Sequence, residues 1–470
     1  MKTFMRIALA GALGSIATAG VAGDGDIDTS FGTSGLALTG LVHASGAGGG
    51  CRPLVQPDGK IVICGTLLLN GSSGSDFFVA RFNADGTLDT SFSFDGEVTI
   101  DFDNGSGSDA AQGVALQADG KIVVAGTTAG SAVGSADFAV ARLNANGSLD
   151  TTFGAGTGKT TIGFDLNGGI GNDNAGSIAL QADGKIVVVG TAQTTTGSVF
   201  AVTRLLPDGT RDSAFNLNGK VTFGFAISGP ANESDSATGV AIDDSGRIVV
   251  TGVAAYNDGT NSISQFAAAR LLPSSLLDSN FHANGRTTIA FDPGNGISQA
   301  SAFGMTIQRD GKIVLVGVAN SSTSTTTPNN DIALARLQPD GSLDAGFGFG
   351  GKTQIAFDLV ANGTDVGFGV VEQSNSRLVV AGASVDATIE YATAARLTSN
   401  GALDNGFGAF GKRSYDFSTG SPHEQAFLGV AFQGTQIIVG GLVLLPGSMS
   451  TIDNVVLRLN NDLIFADGFE

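Results

Sequence analysis

Short apolar runs recur along this chain in a fixed order, and the order is clearest between Gln112 and Asp165. Val114-Ala115-Leu116-Gln117 reads as a short strand, and Lys121 to Gly126 is a dense Ile-Val run of the kind buried on both faces. Asp137 to Leu143 makes a third strand and Lys159 to Asp165, with alternation, a fourth. The connecting Ala-Asp-Gly-Lys and Asn-Ala-Asn-Gly-Ser place Asp or Asn beside Gly, which accepts the positive φ angles of tight hairpins. No stretch carries a helical period with caps, so the pattern predicts an all-β chain.

The pattern repeats from end to end. One landmark is the turn before the Ile-Val run: Asp58-Gly59-Lys60, Asp119-Gly120-Lys121, Asp183-Gly184-Lys185, Ser245-Gly246-Arg247, Asp310-Gly311-Lys312, then the degraded Asn375-Ser376-Arg377 and Gly434-Thr435-Gln436. A second is an arginine closing an apolar run, at Arg81, Arg142, Arg204, Arg270, Arg336, Arg396 and Arg458. The third is Asp followed three residues later by Phe, at Asp28/Phe31, Asp89/Phe92, Asp150/Phe153, Asp212/Phe215, Asp278/Phe281, Asp344/Phe347 and Asp404/Phe407. Successive turns are 59 to 65 residues apart, a period that marks a repeat architecture.

The count closes across the termini. The last copy ends after its third strand, Asn454 to Leu459, while a lone fourth strand, Gly35 to Val42, stands near the N-terminus. Pairing the two would give every unit four strands and leave no ragged edge. That complementarity predicts a seven-bladed β-propeller over residues 24–463; a solenoid has no need of it. Ahead of it, residues 1–23 carry Lys2, Arg6 and an apolar Ile7 to Val21 core, the form of a secretory signal peptide. Residues 464–470 form a short tail.

Composition adds an address. The chain has 71 Gly, 10 Pro and 14% charged residues, and losing Lys2 and Arg6 with the signal takes the net charge from −19 to −21. Such a surface repels nucleic acid and anionic lipid, and no later segment is long and apolar enough to span a bilayer as a helix. The expected product is secreted, periplasmic or held at the cell surface, and monomeric. Cys51 and Cys64 flank the first hairpin. With Asp58-Gly59 as a two-residue turn, Cys64 would lie opposite Pro53, one diagonal step from Cys51. A disulfide is one reading in an oxidising compartment and two small buried apolar residues the other.

On motifs such as Gln117-Ala118-Asp119-Gly120-Lys121-Ile122-Val123-Val124-Ala125-Gly126 and Leu143-Asn144-Ala145-Asn146-Gly147-Ser148-Leu149-Asp150-Thr151-Thr152-Phe153-Gly154, the chain resembles the bacterial delta-60 repeat family over nearly its whole mature length. The resemblance implies a propeller-like domain in exported or cell-surface proteins and no established activity. The fourth and sixth copies depart most, at Ser245-Gly246-Arg247, Ser274-Ser275 and Asn375-Ser376-Arg377.

The candidate chemistry falls into three groups. Arg81, Arg142, Arg204, Arg270, Arg336, Arg396 and Arg458 pair with the repeated Asp residues, Asp89, Asp150, Asp212, Asp278, Asp344 and Asp404 among them, as structural ion pairs with the Phe packed between sheets. Asn83-Ala84-Asp85-Gly86-Thr87-Leu88-Asp89 alternates oxygen ligands, so calcium is the one candidate cofactor. It lacks the length and terminal Glu of an EF-hand loop and reads better as a hairpin turn. The third group lies on one face. The turns are nearly uniform at one end of the strands, whereas the connections at the other end vary, and loops of the latter kind usually carry sites. At the strand mouths of that variable face stand Asp109, Asp173, Asp235 and Asp365 before first strands, and Asp76, Asp137, Asp331 and Asp453 before the repeated Arg. Such an interrupted ring could hold a metal or sugar hydroxyls, or each Asp could cap its local turn.

No nucleophile elbow, HExxH, Cys/His metal spacing or P-loop is present, and His43, His282 and His423 have no motif around them. Two readings follow. The first is a non-catalytic exported module recognising a protein, glycan or envelope component on the variable face. The alternative is a carbohydrate-active hydrolase or lyase with carboxylates at the channel mouth.

Overall fold

A computed structural model describes residues 23–40, 43–44, 50–68, 74–103, 107–129, 135–168, 171–225, 233–257, 259–324, 329–357, 359, 363–385, 389–417, 425–444 and 451–461. The signal-like segment up to residue 22, His423 and the tail from residue 462 lie outside them. Among the described residues the chain is all-β and propeller-like, with a single 3-10 turn at Gly154–Gly156. Each unit is an antiparallel sheet in strand order one to four; the second contains Ser108–Leu116, Ile122–Ala129, Ala136–Leu143 and Lys159–Ile162.

Two local expectations are corrected. First strands are longer than the sequence pattern suggests, beginning at Ser108 instead of Val114, because a bulge between Ala111 and Gly113 breaks the alternation that a period-two reading follows. The Asp-Gly turns are also longer by one residue: Gln56 N donates to the Lys60 carbonyl, so Pro57, Asp58 and Gly59 form the loop. Loop and bulge together shift the register so that Cys51 N meets the Cys64 carbonyl. The two cysteines face each other directly, Cα to Cα 5.1 Å, and are joined as a disulfide.

The second and third strands are the buried centre of each unit, every residue from Ile122 to Thr128 being covered. Between units lies a repeated polar and aromatic joint. Arg204 Nε donates to Asp212 Oδ2 at 2.8 Å, and Nη1 donates to the Pro273 carbonyl of the next unit at 2.7 Å. The guanidinium carbon sits 4.5 Å from the centre of the Phe215 ring. The same set recurs at Arg81/Asp89/Phe92, Arg142/Asp150/Phe153, Arg270/Asp278/Phe281, Arg336/Asp344/Phe347, Arg396/Asp404/Phe407 and Arg458/Asp28/Phe31. Each guanidinium thus ties its own unit's Asp and Phe to the following unit. This joint favours glycine in the second hairpin. Gly147 has φ +86°, and a Cβ there would lie 2.8 Å from Ser93 N and 3.0 Å from the Phe92 ring of the unit before.

A second tie uses the fourth strand. Lys220, Lys352 and Lys412 donate to the Gly163, Ala290 and Ala356 carbonyls of the preceding units at 2.6–2.9 Å, each ammonium over a Phe ring. At the termini, Leu36–Leu38 pairs antiparallel with the last third strand, Leu36 opposite Leu457 and Leu38 opposite Val455. Arg458 reaches the Ala84 carbonyl of the first unit at 3.1 Å, and Gly32 N donates to the Asp85 carbonyl at 2.6 Å.

Candidate functional site

First strands begin beside the third strands of the unit before. Ser75 and Ser108 bridge in parallel, which sets Asp76 and Asp109, the residues after them, at the same level on neighbouring strands. The first unit's fourth strand ends at Ile100, and Asp101 follows it into the same corner. Carboxylate oxygens of Asp76, Asp101 and Asp109 all lie within 4.8 Å of one another, the one such trio among the described residues.

The three carboxylates differ in environment. Asp109 is fully buried and its Oδ2 accepts the Phe102 amide at 2.7 Å. Burial pushes its carboxyl up, with Asp103 and Asp101 adding to the rise against hydrogen bonds from Thr128 and Phe102. Burial, then repulsion from Asp101, Asp109 and Asp103, also raises Asp76, against the pull of Lys159. Asp101 is only partly covered. Lys159, from the next unit's fourth strand, donates to the Asp101 carbonyl and lies over the Phe102 ring, so a cation borders the trio.

Weaker versions occur at the next junctions. Burial, then Asp173 and Asp165, raises Asp137, and Asp173 is 1% exposed. At the third junction burial and Glu233 push Asp235 up to about 6. Asp331 and Asp365 meet across a parallel bridge at Asn330 and Thr364, but Ala356 stands where Asp101 does.

The first-strand aspartates have a cap role that differs from the local one read in the sequence. Asp109, Asp173, Asp235 and Asp365 each accept an amide just past the preceding unit's fourth strand, from Phe102, Phe164, Phe225 and Phe357 at 2.5–2.8 Å. They join units instead of closing their own turns. Asp453 does the equivalent at the termini, accepting from Thr39 Oγ1 at 2.5 Å and Gly40 N at 3.1 Å, and burial pushes it up to about 6. In the Asn83–Asp89 stretch Asp85 Oδ1 accepts the Thr87 amide and hydroxyl, a hairpin-turn arrangement. His282 is exposed; the side chain of His43 and all of His423 lie outside the described residues.

Sequence reading missed Asp101, because its position is Gly163, Gly224, Ala290 or Ala356 in four other units and an acid again only at Asp416, too sparse to show a period. The available signal was its place between Asp76 and Asp109 on a fourth-strand end.

Five segments, residues 56–92, 117–153, 181–215, 308–347 and 373–407, match a family model described as "Domain of unknown function (DUF5122) beta-propeller". The match is to a propeller-repeat description and not to the delta-60 name; the strongly departed fourth copy is not among the matched segments, whereas the sixth is. No curated protein matches the chain. Among solved structures it is similar to a protein of unknown function from Dyadobacter fermentans, at 11% identity over 89% of this chain and 96% of that one, TM-score 0.45. It is also similar to the polysaccharide lyase Uly1, at 11% identity over 89% and 92%, TM-score 0.47. A third is the alpha-L-arabinofuranosidase of Fusarium graminearum, at 11% over 93% and 97%, TM-score 0.40. These likenesses are of fold. They nonetheless correct the expectation of a non-catalytic interaction module, since the neighbours with named activities are carbohydrate-active enzymes.

Proposed function

We propose that the protein is a carbohydrate-active hydrolase or lyase whose working groups are Asp76 and Asp101, with Asp109 behind them. The observation that carries this is the trio of carboxylates within 4.8 Å at one junction. Crowded carboxylates cannot all ionise together, so one holds its proton toward neutral pH while its neighbour stays charged. Asp76, raised by burial and by its neighbours, is the proton donor to a leaving glycosidic oxygen. The partly exposed Asp101 is the base or nucleophile, close enough to Asp76 for the two to act on one glycosidic bond. Buried Asp109 orients the corner and keeps the proton on Asp76. The test is turnover of a panel of neutral and uronate-containing polysaccharides, reading reducing ends for hydrolysis and unsaturated products for elimination. A mature protein inert toward the whole panel would remove the proposal.

The same crowding favours a second reading, a calcium site, because hard cations take clustered carboxylate oxygens. A bound dication would hold Asp76 ionised and so exclude it as an acid. A rise in melting temperature with calcium, lost in Asp76→Asn, supports the ion; no rise leaves the acid–base pair.

The architecture that supports either site is, in our reading, a ring of seven blades closed by Leu36–Leu38 on the last unit. The signal-like N-terminus and the Cys51–Cys64 bond support export; a monomer acting on a glycan is the form the proposal takes. Cell fractionation with N-terminal sequencing tests the address; the product left in the cytoplasm with Met1 intact would overturn it.

A further inference from the structure

A cavity of about 420 Å³ lies among the first strands of the units, away from the carboxylate corner in its chemistry. Its walls are glycine, aliphatic, Phe, Ser, Thr and Gln residues, and Arg52 is the one charged side chain lining it. Eight residues before each hairpin Lys or Arg, the bulge position is Gly113, Ser177, Gly239, Gly304 or Gly369, and in the first unit alone it is Arg52.

The seat for that side chain is built. Arg52 Nη1 donates to the Met305 carbonyl of the fifth unit at 3.0 Å, so the side chain reaches across from the first unit. A Cβ on Gly304 would lie 2.5 Å from Arg52 Nη2, and one on Gly429 2.5 Å from its Cα, so both glycines clear space for it. Among the described residues no carboxylate forms an ion pair with it, and the side chain keeps partial solvent contact inside the cavity. Burial lowers the guanidinium to about 10, which leaves it charged at neutral pH. A guanidinium offers five N–H donors in a planar fork matched to a carboxylate, and the Met305 carbonyl takes one of them. A charge enclosed without a counter-ion draws one in.

We propose that Arg52 makes this cavity a binding site for a carboxylate, either a small free organic acid or the uronate group of a glycan. The proposal is independent of the carboxylate trio, since it concerns binding at a different group.

The experiment is calorimetric titration of the mature, disulfide-bonded protein in low-chloride buffer with acetate, galacturonate and galactose. Acetate and galacturonate are expected to bind one per chain with Kd on the order of 1 mM, and galactose not to bind. Equal affinity for acetate and galacturonate identifies a free small acid; galacturonate binding at least tenfold tighter identifies a uronate. Arg52→Gln, which retains a donor for the Met305 carbonyl, is expected to lose at least tenfold in affinity. Galactose binding as well as galacturonate, no binding of either acid, or unchanged binding by Arg52→Gln would overturn the site. If Arg52→Gln does not fold, the acid-against-neutral comparison in the native protein and Arg52→Lys, which keeps the charge but not the fork, decide the matter.

Discussion

Replacing Asp212 by Asn alters one atom in the joint between the third and fourth units. Arg204 and Asp212 are each 4% exposed, and Oδ2 takes the Arg204 Nε–H at 2.8 Å while Oδ1 takes the Ala214 amide at 3.0 Å. An amide has one acceptor oxygen, so its NH2 must face one of these two donors. Breaking one partner of a buried pair costs about 3–5 kcal/mol. Here the guanidinium keeps the Pro273 carbonyl and the Phe215 ring, which places the loss near the lower end, about 3 kcal/mol. Lys185, 3.8 Å from Oδ2, is a lesser partner. The assay is urea denaturation at pH 7 of Asp212→Asn, Arg204→Met and the double variant. Each single change is expected to cost about 3 kcal/mol and the pair clearly less than the sum, because the second change removes a charge already stranded. Single losses below about 1 kcal/mol that simply add would refute the joint as a source of stability.

Stability should also depend on pH in a particular sense. Asp235 and Asp453 are pushed up to about 6 by burial, so the folded state holds protons that the unfolded state releases. Their contribution is complete below about pH 4 and is lost as pH rises through 6, about 2–3 kcal/mol apiece. Asp89 and Asp150 are shifted the other way: burial raises each, but the bonds from Ser91 and Lys60, or Thr152 and Lys121, with the charges of Arg81 and Arg142, together outweigh it, and their contribution is lost as pH falls below the usual carboxylate range. A melting temperature that rises from pH 7 to about 5 and drops below about 3 is expected; a monotonic fall from pH 7 would contradict these shifts. Gly147→Ala forces a Cβ against Ser93 and Phe92 at positive φ and should cost about 2 kcal/mol or more in chemical denaturation. Ser275 occupies the equivalent position with φ +80°, so Ser275→Gly should gain about 0.5–1 kcal/mol; a loss would show that the serine is not strained. Removing the Cys51–Cys64 bond, which spans 13 residues, should cost about 2–3 kcal/mol, and an unchanged midpoint under reductant would contradict it.

Much of the unit was legible because its chemistry repeats. The Arg, Asp and Phe positions announce themselves as landmarks, and the structure places each Arg against an Asp and a Phe of one joint. What sequence could not give was register. A bulge beside Gly113 adds a residue that alternation does not count, which hid half of the first strand and misplaced Cys64 against Pro53. The candidate site was legible only in pieces. Asp76 and Asp109 stood out as recurring positions, yet Asp101 and Arg52 are departures from the repeat. A search for what recurs at every unit overlooks residues that most units lack, and those two give one junction and one cavity their individuality.

Whether Asp76 and Asp101 perform the chemistry is decided by product release from the best polysaccharide of the panel by the native protein, Asp76→Asn and Asp101→Asn. Both variants are expected to lose at least about a hundredfold in kcat, the scale of general acid–base catalysis, while melting within a few degrees of the native protein. Turnover retained by both folded variants would contradict it.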